Sequence, residues 1–258
     1  MIHVTIYSWN VNGIRAAERK GLLDWLHAAD ADIVALQETK ASERQVSTAL
    51  REPPGYHADW CAAEKAGYSG VATFSKLAPS QVARGIGDPR FDGEGRVLIS
   101  TFPKFTFYNV YFPSGSSGPE RVAHKLAFYE RFRDVIGAAI TSGQRIVVVG
   151  DVNTSFAEID LARPRENAKT SGFMPEERAA LGELFAAGLV DTFRHVHPTA
   201  AKYSWWSQRT NARERNIGWR LDYILVSANL APHIVAADIH SDVAGSDHCP
   251  VSLTLEVE

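Results

Sequence analysis

Apolar and polar positions roughly alternate from residue 2 to residue 9 and then stop at Asn10-Val11-Asn12-Gly13, the pattern of a strand that ends in a turn. Leu22, Leu23, Trp25 and Leu26 follow at helical spacing within 20–29. Asp32-Ile33-Val34-Ala35-Leu36 then returns as a buried strand ending at Gln37-Glu38-Thr39. A strand–helix–strand unit of this kind favours a parallel pair with a right-handed crossover, which puts the Asn10 and Glu38 ends on one edge of a sheet. Further strands are expected at 57–61, 70–75, 96–102 and 105–112, the last two joined through Pro103-Lys104 as a hairpin. The run Arg145-Ile146-Val147-Val148-Val149 reads as a strand buried on both faces, with Gly150 letting the backbone turn immediately after it. Asp151 and Asn153 emerge there two residues apart, so in an extended backbone both point to the same side. Strands at 220–227 and 249–257 complete the pattern.

Two helices stand out between the strands. Ser117 and Glu120 have capping-box spacing, Pro119 suits a first turn, and Val122, Leu126, Tyr129, Phe132 and Ile136 trace one face. Pro175 opens the other, with Leu181, Leu184 and Phe185 inward and Gly188 at its end. The Ser/Gly run 114–118 between strand and helix is too short for a linker and reads as an anchored surface loop. With no solenoid period and no low-complexity tract, residues 1–258 are expected to form a single α/β domain.

Composition adds exclusions. Cys61 and Cys249 are far apart and form no CxxC pair, which suggests neither a disulfide framework nor a thiolate zinc site. His195-Val196-His197 has no further ligands nearby and reads as two ordinary histidines. No stretch is apolar enough to span a bilayer and no leader pattern opens the chain, so a soluble cytoplasmic protein is the expectation. A net charge of −3 argues against a protein that coats nucleic acid, but not against a local basic face.

Polar groups recur where strands end: Asn10 and Asn12, Glu38, Tyr111, Asp151 and Asn153, and Ser246-Asp247-His248. Asp222 lies inside the apolar run 220–226, where burial without a partner is costly, and His248 is the histidine best suited to pair with it. Oxygen ligands plus one histidine, without thiolates, suit Mg2+ or Mn2+ better than zinc. Carboxylates, amides, a tyrosine and an Asp–His pair around a hard cation fit phosphate-ester hydrolysis, whose barrier must fall by on the order of 20 kcal/mol.

Six segments carry a family resemblance: 8–15 (SWNVNGIR), 36–40 (LQETK), 68–72 (YSGVA), 150–153 (GDVN), 218–223 (GWRLDY) and 245–250 (GSDHCP). In this order, spanning nearly the whole chain, they resemble the exonuclease III family of apurinic/apyrimidinic endonucleases. The contexts of Trp219-Arg220-Leu221-Asp222 and Asn211-Ala212-Arg213 set the chain apart from DNase I-like nucleases, sphingomyelinases and inositol-polyphosphate phosphatases. The resemblance implies a four-layer α/β sandwich, two packed mixed sheets flanked by helices, with the site at one edge. It implies Glu38 as principal Mg2+ ligand, with Asn10, Asn12 and Asp247 around the metal. Asp151 would orient or deprotonate the attacking water, Asn153 would bond the scissile phosphate, and His248, paired with Asp222, would polarise a phosphate oxygen. Tyr111 would touch the phosphate or assist the leaving group. Whether Asp151 or the His–Asp pair is the base stays open. Asn12 stands where some members carry Asp, and the 114–118 loop lacks the Asn and Arg groups with which some members touch DNA.

The implied activity is Mg2+-dependent cleavage 5′ to an abasic site, with trimming of 3′ ends, by a monomer acting on duplex DNA with abasic or blocked 3′ ends. Trp205, Trp219 and Leu221 would wall a pocket for the baseless sugar, Asn10 and Asn167 would contact the substrate, and Arg209 would press into the duplex or bind its phosphates. From 202 to 220 five cations (Lys202, Arg209, Arg213, Arg215, Arg220) face one acid, Glu214, interleaved with three tryptophans, which reads as a local basic face. A phosphodiesterase acting on lipid or small-molecule phosphates is the rival enzyme class, and a catalytically dead DNA-binding module is the rival outside enzymes.

Overall fold

The computed structural model describes residues 2–257. Its strands, in chain order, are β1 (Ile2–Asn10), β2 (Ile33–Gln37), β3 (His57–Cys61), β4 (Val71–Ser75), β5 (Gln81–Arg84), β6 (Val97–Thr101) and β7 (Thr106–Tyr111). They continue as β8 (Ile146–Asp151), β9 (Leu189–Asp191), β10 (Trp205–Trp206), β11 (Gly218–Trp219), β12 (Asp222–Ser227), β13 (Ile234–Ile239) and β14 (Val251–Val257). One six-stranded sheet runs β13-β14-β1-β2-β4-β3, the other β5-β6-β7-β8-β12-β9, and β10 pairs with β11 alone. Within these sheets only β1–β2 and β7–β8 pair in parallel. The two sheets are therefore mixed, as the alternation of strand–helix–strand and hairpin patterns required. The 103–104 hairpin is present, closed by the Phe102 N–H on the Phe105 carbonyl.

Three apolar layers set the four-layer sandwich. Ile6, Ile33, Phe107, Val147, Val149, Ile224 and Leu253 meet between the sheets. The helix Leu22–Ala29 packs Leu22 and Leu26 onto the outer face of the first sheet with Val34, Leu36 and Phe74. The helices Pro119–Thr141 and Pro175–Ala186 cover the second sheet through Phe128, Phe132, Leu181 and Leu184 against Tyr108, Val148 and Leu225. A polar clasp interrupts the inter-sheet core near the site. Gln37 donates to Asn109 Oδ1 at 2.8 Å, and Asn109 donates to the Ala72 carbonyl of the opposite sheet at 2.8 Å. Buried and paired in this way, the two amides favour one register of sheet on sheet.

Four local expectations change. Gly150 is not the turn after β8, which runs through it to Asp151. Its φ is 140°, and a Cβ there would collide with the Val110 carbonyl oxygen of β7, so glycine is required for close approach of the strands. Asp222 is not inside its strand but opens it. The long helix is capped by Gly118, without a side-chain cap from Ser117. Its buried stripe is Lys125, Phe128, Tyr129, Phe132 and Ile136, with Val122 and Leu126 only partly covered.

Candidate active site

The registers bring the polar strand ends to one edge. Asn10 pairs with Gln37 at the parallel ends of β1 and β2, and Tyr111 with Asp151 at the ends of β7 and β8. Asp151 stands opposite Asp222 across the antiparallel β8–β12 pair, and His248 precedes β14, which pairs antiparallel with β1. The convergence of Asp151 with Asn153, and of Asn10 with Asn12, does not come from an extended backbone. Asn12 and Asn153 are left-handed, with φ of 46° and 53°. The Asn12 N–H donates to Asn10 Oδ1 at 3.0 Å, and the Asn153 N–H to Asp151 Oδ1 at 2.8 Å. One device, a strand-end Asx turn, closes both strands and folds the second polar side chain back over the first.

His248 Nδ1 lies 2.8 Å from Asp222 Oδ2, and Nε2 lies 3.8 Å from Asp151 Oδ2. Burial alone would drive the imidazole toward neutrality, but Asp222 and then Asp151 outweigh it and hold His248 up at about 10, a buried imidazolium at neutral pH. Asp222 also accepts from the Ser204 hydroxyl at 2.7 Å. Asp151 is lifted to about 7 by burial, with the His248 charge opposing and the Asp222 charge adding to the rise. A carboxyl poised near neutrality suits a general base; an imidazolium paired to Asp222 suits a fixed positive donor.

Beside this cluster the oxygens of Glu38, Asn12 and Asp247 gather. Asn12 donates to Asp247 Oδ1 at 3.0 Å, and Lys40 Nζ lies 2.9 Å from Glu38 Oε1 and 2.5 Å from Asn12 Oδ1. Hard oxygens that already attract an ammonium are a donor set fitted to a hard divalent cation. Asn10 lies beneath them, fully buried, its amide donating to Glu38 Oε2 at 3.1 Å and Asp151 Oδ2 at 2.9 Å. It holds two carboxylates from below and does not line the cleft. Among the described residues one group of three acids and histidines has ligand atoms within 4.8 Å of one another, namely Asp151, Asp222 and His248, and its His–Asp atoms are already bonded to each other. Tyr111 stays a neutral phenol, since burial and the charges of Glu38 and Asp151 push it well above its ordinary value, while Arg96 pulls it down.

These groups open into a cleft of about 660 Å³, whose lining includes Glu38, Asp151 and His248 and, further along, Asn167, Trp205, Trp219 and Leu221. Trp205 and Trp219 meet edge to face with ring centres 6.4 Å apart, and Trp205 Nε1 donates to Asp247 Oδ2 at 3.2 Å. Asn167 bonds the Arg163 carbonyl at 3.0 Å from the short helix Pro164–Asn167. Arg209 is exposed and lies outside the lining. The 202–220 segment offers fewer free cations than its composition counts. Arg220 is buried against Asp160 and Asp191 and stacked on Tyr223, Lys202 pairs with Asp238, and Arg213 is spent on the Ser246, Ser241 and Val243 carbonyls. Arg209 and Arg215 remain exposed.

Residues 7–248 match the model of the Endonuclease/Exonuclease/phosphatase family. The chain belongs to this family. An exodeoxyribonuclease of Bacillus subtilis is 44% identical over 98% of this chain and 99% of its own length. A DNA repair nuclease of Danio rerio is 40% identical over 99% of this chain and 83% of its own. Among solved structures, an AP endonuclease from Archaeoglobus fulgidus superposes with a TM-score of 0.90 at 29% identity, over 98% of this chain and 100% of that one. The resemblance to exonuclease III-type nucleases drawn from the motifs, and the sandwich it implied, agree with these likenesses.

As a nuclease of the Endonuclease/Exonuclease/phosphatase family, the chain supports its site with residues that sequence reasoning passed over. The Lys125–Glu177 pair is wholly buried: Lys125 donates to the Asn153 carbonyl at 2.6 Å and to Glu177 at 2.8 Å. Glu177 in turn accepts from Ser171 and the Gly172 N–H. Gly172, with φ of 100°, lets the Trp219 ring lie against the backbone, where a Cβ would come within 3.2 Å. Arg96, also buried, lies over the Tyr68 and Tyr111 rings and donates to the Tyr111 carbonyl at 3.0 Å. The signal for Lys125 was available, since it sits on the same stripe as Tyr129 and Phe132.

Proposed function

We infer that this nuclease hydrolyses the phosphodiester 5′ to an abasic site in duplex DNA and also processes 3′ ends, acting as a monomer on chromosomal DNA in the cytoplasm. The observation that carries the reading is that Asp151 and His248, the latter backed by Asp222, line one cleft with the Trp205–Trp219–Leu221 wall. An apolar wall suits a deoxyribose without its base, while an intact nucleotide would first have to unstack and would then meet the rings.

In this reading Asp151 takes the proton of the attacking water, and Asn153 and the imidazolium of His248 bind oxygens of the scissile phosphate. Asp222 keeps that imidazolium charged and aimed. Tyr111, a neutral O–H donor, faces the phosphate or the leaving oxygen. Glu38, Asn12 and Asp247 would hold Mg2+ or Mn2+, which supplies Lewis-acid stabilisation of charge developing on the phosphate. The positive groups are fixed before the reaction, so little reorganisation is needed when charge develops.

The test is incubation with a duplex carrying one abasic analogue, with and without EDTA. Cleavage at that position, lost with EDTA, is the expected result. An intact duplex beside rapid hydrolysis of a phosphoinositide or sphingomyelin would replace the reading with a lipid phosphodiesterase.

A further inference from the structure

Lys40 sits where a cation is wanted. Its ammonium lies 2.9 Å from Glu38 Oε1 and 2.5 Å from Asn12 Oδ1, two of the three side chains read above as metal ligands. The placement is built into the backbone. Asn12, Glu38 and Lys40 all adopt positive φ, at 46°, 55° and 52°, a region non-glycine residues enter at a cost. Main-chain bonds hold them there: Gly13 N–H to the Glu38 carbonyl at 2.8 Å, Ile14 N–H to Thr39 at 2.9 Å and Lys40 N–H to Ser69 at 2.8 Å. Three left-handed residues, each fixed by main-chain bonds, thus bring the Lys40 ammonium onto the oxygens of Glu38 and Asn12.

We propose that Lys40 is the resident counter-ion of the metal site: it holds Glu38 and Asn12 together while the divalent ion is away and leaves them when the ion binds. The proposal rests on the reading of Glu38 and Asn12 as metal ligands. An ammonium and a divalent ion drawn to the same two oxygens compete, because two cations at contact distance repel. Asn12 brings no charge of its own, so Glu38 is the carboxylate that Lys40 neutralises. The lysine side chain is half-buried on a flexible stem and itself lines a cavity with Gly13, Arg15, Arg19 and Gly67, which leaves room for displacement, although the two arginines there make it a less welcoming place for an ammonium than the oxygens it leaves. Lys40 thereby sets the affinity of the site for its metal and keeps the ligands aimed between encounters.

Two measurements on the full chain test this without substrate. Mn2+ binding is measured by electron paramagnetic resonance of the free ion for wild type, Lys40→Gln, Lys40→Arg and Glu38→Gln. Lys40→Gln removes the competitor and should bind about three- to fivefold more tightly, the worth of a partly exposed ion pair. Lys40→Arg keeps the charge and should stay near wild type. Separately, acetylation of Lys40 in the wild-type protein, read by mass spectrometry, should speed up on adding Mg2+ as the ammonium is released. Unchanged or weaker Mn2+ binding in Lys40→Gln, or Lys40 acetylation that Mg2+ leaves unchanged or slows, overturns the counter-ion role. If Glu38→Gln binds Mn2+ as well as wild type, the ligand assignment falls and the proposal with it; weakened binding there, with no gain in Lys40→Gln, sinks the counter-ion alone.

Discussion

Asp151 and Asp222 face one another across the β8–β12 ladder, the last residue of one strand opposite the first of the next, with His248 between them. The register makes two like acids unlike. Asp222 is tied to the imidazolium at 2.8 Å, whereas Asp151 stands 3.8 Å from it and is left to burial, which lifts its carboxyl to about 7.

Asp151→Asn keeps the shape of the site and removes its base. Single-turnover cleavage of an abasic duplex should slow by about 100- to 10,000-fold, the usual worth of a general base, while duplex binding persists. A loss of less than about tenfold, or about 1.4 kcal/mol, would mean that Asp151 is not central.

The His248–Asp222 pair should give stability a distinctive pH dependence. The folded His248 titrates at about 10, against about 6.5 when unfolded. Below the unfolded value both states hold the proton and the pairing contributes in full. As pH rises the unfolded chain loses its proton first, and the contribution is gone above the folded value. Denaturant titrations from about pH 6 to about pH 10 should therefore show wild type losing its advantage over His248→Gln. A gap that stays constant across that range would contradict the assignment.

Lys125→Met strands the Glu177 carboxylate in the core and should cost about 3–5 kcal/mol. Adding Glu177→Gln removes the stranded charge while keeping an acceptor for the Gly172 N–H, so the double variant should recover much of the stability. It should not recover the rate, because the Asn153 carbonyl has still lost its ammonium. Urea denaturation and single-turnover rates on the three proteins check both halves; full recovery of rate would make the pair purely structural.

Trp219→Ala opens the wall of the cleft and should lower the ratio of kcat/KM for abasic over undamaged duplexes. Arg209→Ala, outside the lining, should mainly weaken DNA binding or change product release. Both are measured at one salt concentration, because phosphate contacts depend on salt. An unchanged ratio in a folded Trp219→Ala protein would assign Trp219 to the core.

Much of this molecule could be read along the chain, because the signals are local. Period-two and period-three-to-four patterns located most strands of both sheets and their covering helices but passed over the short or edge strands β5, β9 and β13; polar residues follow the apolar runs of β1, β2 and β8, whereas Asp222 and His248 come just before theirs. What the pattern misjudged depends on partners far away in sequence. Arg220 looks like a DNA-facing cation until Asp160 and Asp191 close over it. Gly150 looks like a turn until β7 lies against it.

The amino-acid sequence by itself determined most of the element order, the mixture of parallel and antiparallel strands and the shared edge of Asn10 and Glu38, since hydrophobic periodicity and a right-handed crossover suffice for these; the rest of the set at that edge was legible only through its motifs. Only the tertiary structure decided what each group is there. Asp222 is the bonded partner of His248 at 2.8 Å, whereas Asp151, at 3.8 Å, is lifted by burial, because pairing and exclusion of water depend on positions that do not exist until the sheets have packed.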